Sequence, residues 1–145
     1  RLAADADVAS RFGVRYGWNA ELLRWRLGFP GTALTISEHP RFWVVSTVRK
    51  AAGIPVVALL KVWARERSDR PIRLGPSAVA SLARAHRTPA VIHVGLNADV
   101  SMVGTPLPKR IRPAPLFLTY VANPEIVATE EINFDTFELL DFDAL

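Results

Sequence analysis

Two apolar runs decide the architecture: Phe42-Trp43-Val44-Val45-Ser46-Thr47-Val48-Arg49 and Val56-Val57-Ala58-Leu59-Leu60-Lys61-Val62-Trp63-Ala64. Both are rich in β-branched and aromatic residues, which fit a pleated, half-buried surface. Between them lies Lys50-Ala51-Ala52-Gly53-Ile54-Pro55, whose glycine suits a tight turn. The pair predicts an antiparallel hairpin. A strand with one wet face alternates, whereas Val56 to Leu60 is apolar at every position. The second strand is therefore expected at the centre of a sheet, with helices on both faces. The run that begins at Ile54 stops at Lys61, too soon to span a membrane.

Towards the N-terminus, Ala33 to Ser37 reads as a short edge strand. Before it, Asn19 is placed to cap a helix, Glu21 sits where the helix dipole favours an acid, and Gly28 and Pro30 end the helix. Trp18, Leu22 and Trp25 are spaced to share its buried face, leaving Arg24 solvated. An earlier helix is expected over Leu2 to Phe12, closed by Gly13.

Towards the C-terminus, Arg65 to Arg73 is charged and loop-like. Gly75-Pro76-Ser77 opens a helix to about His86, with Pro76 in the first turn and Val79, Leu82 and Ala83 as its apolar face. After Thr88-Pro89, Ala90 to Leu96 reads as a strand and Val100 to Val103 as a one-turn helix. Four prolines make Thr105 to Pro115 an extended loop. Leu116 to Val121 and Phe134 to Phe142 are the closing strands, with a turn at Asn123-Pro124. The order predicts an α/β fold of the mixed α+β kind: a central mixed sheet with an antiparallel hairpin and flanking helices.

The chain has 145 residues, half of them apolar, which fits one domain over residues 1–145. It has no cysteine, excluding disulfides, thiolate nucleophiles and cysteine-ligated metals, and fitting a cytoplasmic protein. It opens on Arg1 rather than Met, so it reads as a piece of a longer protein, and no basic-then-apolar signal segment starts it. Charge is unevenly placed. All 18 lysines and arginines lie at or before Arg112, with seven of the 14 acids; the other seven acids follow it. The acidic C-terminal segment is expected to fold back on the basic body. A basic surface for an anionic ligand is the compatible alternative.

The element order, with Leu23-Arg24-Trp25-Arg26 on an early helix, Pro30-Gly31, the hairpin at Phe42 to Ala64, the helix–strand unit at Ser77 to Leu96, and a closing pair ending in Phe142-Asp143, resembles the GNAT superfamily of N-acyltransferases. It looks most like the C-terminal GNAT-like half of bacterial proteins that carry two such halves. The resemblance covers residues 18–145. It implies a domain of an acyl-CoA-dependent N-acyltransferase-related protein, with acetyl-CoA or another acyl-CoA as cofactor and a second GNAT-like half as partner. The family's cofactor loop is Gln/Arg-x-x-Gly-x-Gly/Ala between a strand and a helix, where backbone amides hold the pyrophosphate. The nearest stretch here, Lys50 to Pro55, ends in proline and falls in the predicted hairpin turn. The resemblance therefore implies a supporting or degenerate half. A general-acid tyrosine, which the family often carries on its last short helix, has no counterpart in Val100 to Val103.

Among candidate site residues, His93 near the end of a predicted strand is a possible general base, and Asn97 just beyond it a substrate-binding group. The bland alternative for His93 is a hydrogen-bonded core histidine. His39 before Pro40 and His86 at a helix end read as structural, and three histidines this far apart make no metal site. Glu138, Asp141 and Asp143 are possible bases or metal ligands, with the alternation of a strand placing Asp141 and Asp143 on one face. Ser46, Ser77, Ser81 and Ser101 lack a nucleophile-elbow context, and Tyr120 falls in a predicted strand. Arg65, Arg67, Arg70, Arg73, Lys109, Arg110 and Arg112 offer phosphate contacts, but no aromatic residue is interleaved with them. A solvated face is the better reading, so nucleic acid is not the expected partner. A non-catalytic protein-interaction module is the alternative to the acyltransferase reading.

Overall fold

In the computed structural model, described over residues 14–15, 17–28, 31, 33–66, 68, 70–108 and 134–141, the chain runs β1 (Val14–Arg15), α1 (Ala20–Leu27), β2 (Thr35–Glu38), β3 (Phe42–Ala51), β4 (Ile54–Ala64), β5 (Ile72–Leu74), α2 (Pro76–Ala85), β6 (Val91–His93), β7 (Gly95–Asn97), β8 (Val100–Met102), β9 (Phe134–Glu138) and a 3-10 turn (Leu139–Asp141). This is a mixed α+β architecture. The β3–β4 hairpin is its spine, paired from Phe42↔Ala64 to Ala51↔Ile54. Its turn is Ala52-Gly53, with φ of 50° and 82°. Two consecutive positive φ values match the right-handed twist of a hairpin, and they explain the glycine.

The main sheet has the order β2-β3-β4-β6. β2 pairs with β3 and β3 with β4, both antiparallel, whereas β6 pairs with the other edge of β4 in parallel, through Val57↔Val91, Ala58↔Ile92 and Leu59↔His93. A parallel neighbour needs a crossover, and β5 and α2 provide it. Two smaller sheets complete the set: β1-β9-β7 and β5-β8.

A bulge shapes β4. Ser46 faces Leu59, but the next residue of β3, Val45, faces Lys61, so Leu60 is the extra residue. An inserted residue reverses the alternation beyond it, and the two core clusters record the reversal. Ala58, Leu60 and Trp63 belong to one, with Trp18, Leu23, Trp43 and Leu140. Val57, Leu59 and Val62 belong to the other, with Phe42, Val44, Leu74 and Leu82. β4 is thus buried on both faces, against α1 and the 3-10 turn on one and α2 on the other. Burying a side chain such as Leu59 stabilises the fold by roughly 1.5–3 kcal/mol.

The helix caps follow expectation. Asn19 Oδ1 accepts from the Leu22 N–H at 2.8 Å, Gly28 closes α1, and Pro76 opens α2. The face of α1 does not. Leu23 and Arg26 are buried and Trp25 is 56% exposed, because Trp18 precedes the helix and does not continue its spacing.

Three further expectations are corrected. The strand expected over Ala90 to Leu96 breaks at Val94, and its halves join different sheets, because Gly95 takes φ 122°. Val100–Met102 is a strand rather than a helical turn, and its partner Ile72–Leu74 lies partly in the segment read as loop. The last strand stops at Glu138, and Asp141 lies in a 3-10 turn. The helix expected over Leu2 to Phe12, the strand over Leu116 to Val121 and the turn at Asn123-Pro124 lie outside the described residues.

Candidate functional site

β6 leaves β4 at His93, and the strand resumes as β7 alongside β9. Two strands that part in this way leave backbone groups on their facing edges without ladder partners, and buried groups of that kind must be satisfied. The bulge turns Val62 of β4 towards the gap. Its C=O accepts from Asn97 Nδ2 at 2.9 Å, and its N–H donates to Glu138 Oε2 at 3.3 Å. Side chains from β7 and β9 therefore stand in for the missing strand.

Gly95 makes this approach possible. A Cβ at that position would lie 2.1 Å from the Phe137 carbonyl oxygen and 2.8 Å from Glu138 Cα. The register Gly95↔Glu138 places the acid against the gap. Thr136 and Glu138 are both buried with Phe137 less so, as the alternation of the strand requires.

Glu138, with no exposed surface, is the hub. Oε1 meets His93 Nε2 at 2.9 Å, and Oε2 accepts from Asn97 Nδ2 at 2.9 Å. Lys61 Nζ lies 3.4 Å from Glu138 Oε2 and 2.5 Å from Asp141 Oδ2. Asp141 also accepts from Trp18 Nε1 at 2.9 Å and from the Glu138 N–H at 2.7 Å. Asn97 Oδ1 accepts from the Asp99 and Val100 N–H groups, both at 3.0 Å. Glu138, Asp141, Lys61 and Asn97 are each held by more than one contact, which is what a buried polar network needs to be stable. Two acids of the C-terminal segment thus fold back onto Lys61 and His93 of the basic body.

Lys61, Glu138 and Asp141 are buried, whereas Asn97 is half-buried and the His93 side chain is 20% exposed. It faces a cleft of about 320 Å³ walled by Leu59, Leu74, Val79, Val91, Met102 and Leu107. His93 and Asn97, singled out in the sequence, are brought together by Glu138. A histidine with one nitrogen fixed by a buried carboxylate is oriented to exchange a hydrogen bond through the other. Lys61 went unsuspected. Its only sequence signal is a lysine between Leu60 and Val62 in a strand apolar on both faces, where a buried ammonium demands a carboxylate.

Other candidates lie apart. His86 Nε2 is 3.3 Å from Ser46 Oγ, and His39 stacks on Phe42 with ring centroids 4.0 Å apart. Arg65 pairs with Glu38 at 3.0 Å and lies over the Trp43 ring. Asp143, Tyr120, Arg67, Lys109, Arg110 and Arg112 are outside the described residues. Among the described residues no group of three or more His, Asp or Glu side chains is arranged to hold a metal, and no helix is long and apolar enough to cross a membrane. Lys50 to Pro55 spans the hairpin turn, as expected, and precedes no helix.

Comparison with family models, with curated proteins and with solved structures finds no match to this chain.

Proposed function

We propose that the chain is a GNAT-like domain of an N-acyltransferase-related protein, and that it is a supporting half that does not itself load acyl-CoA. The hairpin, the crossover through α2 and the parallel β6 support the first part of this reading. The occupation of Val62 carries the second. An acyl-CoA presents an extended, amide-bearing arm, and a sheet binds such an arm through free backbone groups along a strand edge. At the gap beside β4 the N–H and C=O of Val62 already serve Glu138 and Asn97.

Among the described residues the pyrophosphate end lacks a cradle as well. Arg65 to Gly75, including β5, separates β4 from α2, and Pro76 at the start of α2 has no N–H to donate. Direct acyl transfer needs a bound, oriented donor, so chemistry would rest with a partner half.

Calorimetry tests the reading. Acetyl-CoA titrated into this chain to millimolar concentration is expected to give no saturable heat, and saturable heat overturns the proposal. In the full gene product, acyl-CoA binding is expected to map outside these residues.

A further inference from the structure

The main sheet has an open edge at β2. His39 and Phe42 exchange both of their backbone hydrogen bonds, at 2.9 and 3.3 Å, so they form a hydrogen-bonded pair where β2 turns into β3. Such pairs alternate with non-bonded ones along antiparallel strands. Ser37↔Val44 and Thr35↔Ser46 are therefore bonded pairs too, and Ile36 and Glu38 turn their N–H and C=O groups away from β3. Among the described residues no strand lies beyond β2. Ile36 is 45% exposed, on the face it shares with Val45. An edge of this kind is a template for another strand.

A groove runs beside the edge. On the face of Ser37, a cavity of about 300 Å³ lies between β2 and α2, floored by Phe42, Val44 and Leu82. The helix contributes Ser77, Ser81 and Ala85 from successive turns. All three are small and exposed, so the helix leaves room for side chains that are not its own. His86 Nε2 meets Ser46 Oγ at 3.3 Å, which sets the C-terminal end of α2 across from Thr35. The helix thus runs antiparallel to β2. Towards that end Arg84 Nη2 donates to Ser81 Oγ at 3.4 Å, placing a guanidinium on the rim. Glu38 lines the opposite end, paired with Arg65 at 3.0 Å.

A strand edge beside a groove captures extended peptides: main-chain bonds give affinity, and pockets for alternate side chains give specificity. A guest antiparallel to β2 has its residues opposite Ser37 and Thr35 on the groove side, and the one between them against Ile36. The first enters the groove over Phe42 and Val44. The third falls towards Arg84, where charge complementarity calls for an acid.

We propose that β2 takes up an extended peptide of the pattern apolar–apolar–acid as an added antiparallel strand of the main sheet, with the acid against Arg84. A second copy of this chain pairing through β2 would present only Thr35 and Ser37 to the groove, neither an aliphatic side chain nor an acid. The inference stands apart from the acyl-CoA reading, and no acyl-CoA enters its test.

The test is titration of the peptide acetyl-Thr-Val-Val-Glu-Thr-amide into the ¹⁵N-labelled chain, read by amide resonances. Saturable shifts are expected over β2 and along α2. A peptide with lysine in place of glutamate is expected to bind at least tenfold more weakly. So is one with proline in place of the second valine, which lacks the N–H that the Ile36 C=O would accept. Arg84→Glu is expected to reverse the preference between the glutamate and lysine peptides, and Ser81→Phe, which fills the groove, to weaken the glutamate peptide at least tenfold. Both residues are exposed on α2, and the peptide substitutions leave the protein untouched. Absence of saturation at millimolar peptide overturns the proposal. Equal binding of the proline peptide overturns it too, because the guest then does not join the sheet. Shifts at the same residues on raising the protein concentration alone would give the edge to a second copy, and they overturn it as well.

Discussion

Lys61 Nζ and Asp141 Oδ2 lie 2.5 Å apart, both side chains at most 2% exposed and 80 residues apart in the chain. The pair ties the central strand to the C-terminal 3-10 turn through the middle of the protein. An ion pair in such a place offsets its desolvation only when the remaining lone pairs are also filled. Trp18 and the Glu138 backbone fill those of Asp141.

Lys61→Met removes the cation and leaves two buried carboxylates facing each other. Breaking one partner of a buried pair costs about 3–5 kcal/mol. Urea unfolding of the variant is expected to show a loss of that size, and an unchanged midpoint would mean that water reaches the pair. Pairing Lys61→Met with Asp141→Leu and Glu138→Gln is expected to recover part of the loss.

Gly95→Ala forces a methyl group into the Phe137 carbonyl at a φ of 122° that L residues avoid. The backbone conformation alone costs about 1–3 kcal/mol, and the clash adds to it by pushing β9 away. Thermal unfolding is expected to fall well below wild type, with faster amide exchange at Val62. Gly104→Ala, where a new Cβ meets nothing within 4 Å, is the control and is expected to leave the midpoint unchanged.

Ala52 holds φ 50° in the hairpin turn. A left-handed conformation costs an alanine about 1–2 kcal/mol, and asparagine tolerates it better. Ala52→Asn creates the Asn-Gly turn sequence that hairpins of this kind favour. The variant is expected to melt a few degrees higher, and a lower melting point would count against the turn geometry.

Of the four tryptophans, Trp18, Trp43 and Trp63 are buried and Trp25 is 56% exposed. Acrylamide is therefore expected to quench one component of the emission readily and the rest poorly. Trp25→Phe is expected to remove the readily quenched component with little change in stability, whereas Trp18→Phe removes the hydrogen bond to Asp141 and lowers stability by about 1–3 kcal/mol.

Local patterns carried the elements whose causes are local. The β-branched run and Gly53 announced the hairpin, Asn19 and Gly28 bounded α1, and Pro76 opened α2. The apolar stretch Val56 to Leu60 announced a strand covered on both faces. His93 and Asn97 were visible as polar groups near a strand end, although nothing local named their partner.

The rest depends on contacts between distant segments. The break at Val94 arises because the chain must leave β4 after β6 and press β7 against β9, a strand some forty residues later. The bulge at Leu60 reverses the faces of β4 in a way periodicity alone does not reveal. Lys61 reads locally as the polar end of an apolar run, yet it is buried because Glu138 and Asp141 arrive from the far end of the chain. Hydrophobic pattern and turn chemistry act over a few residues, so they are legible one stretch at a time. Charge balance and edge satisfaction act through space, and they took shape only once the acidic end had closed over the gap beside Val62.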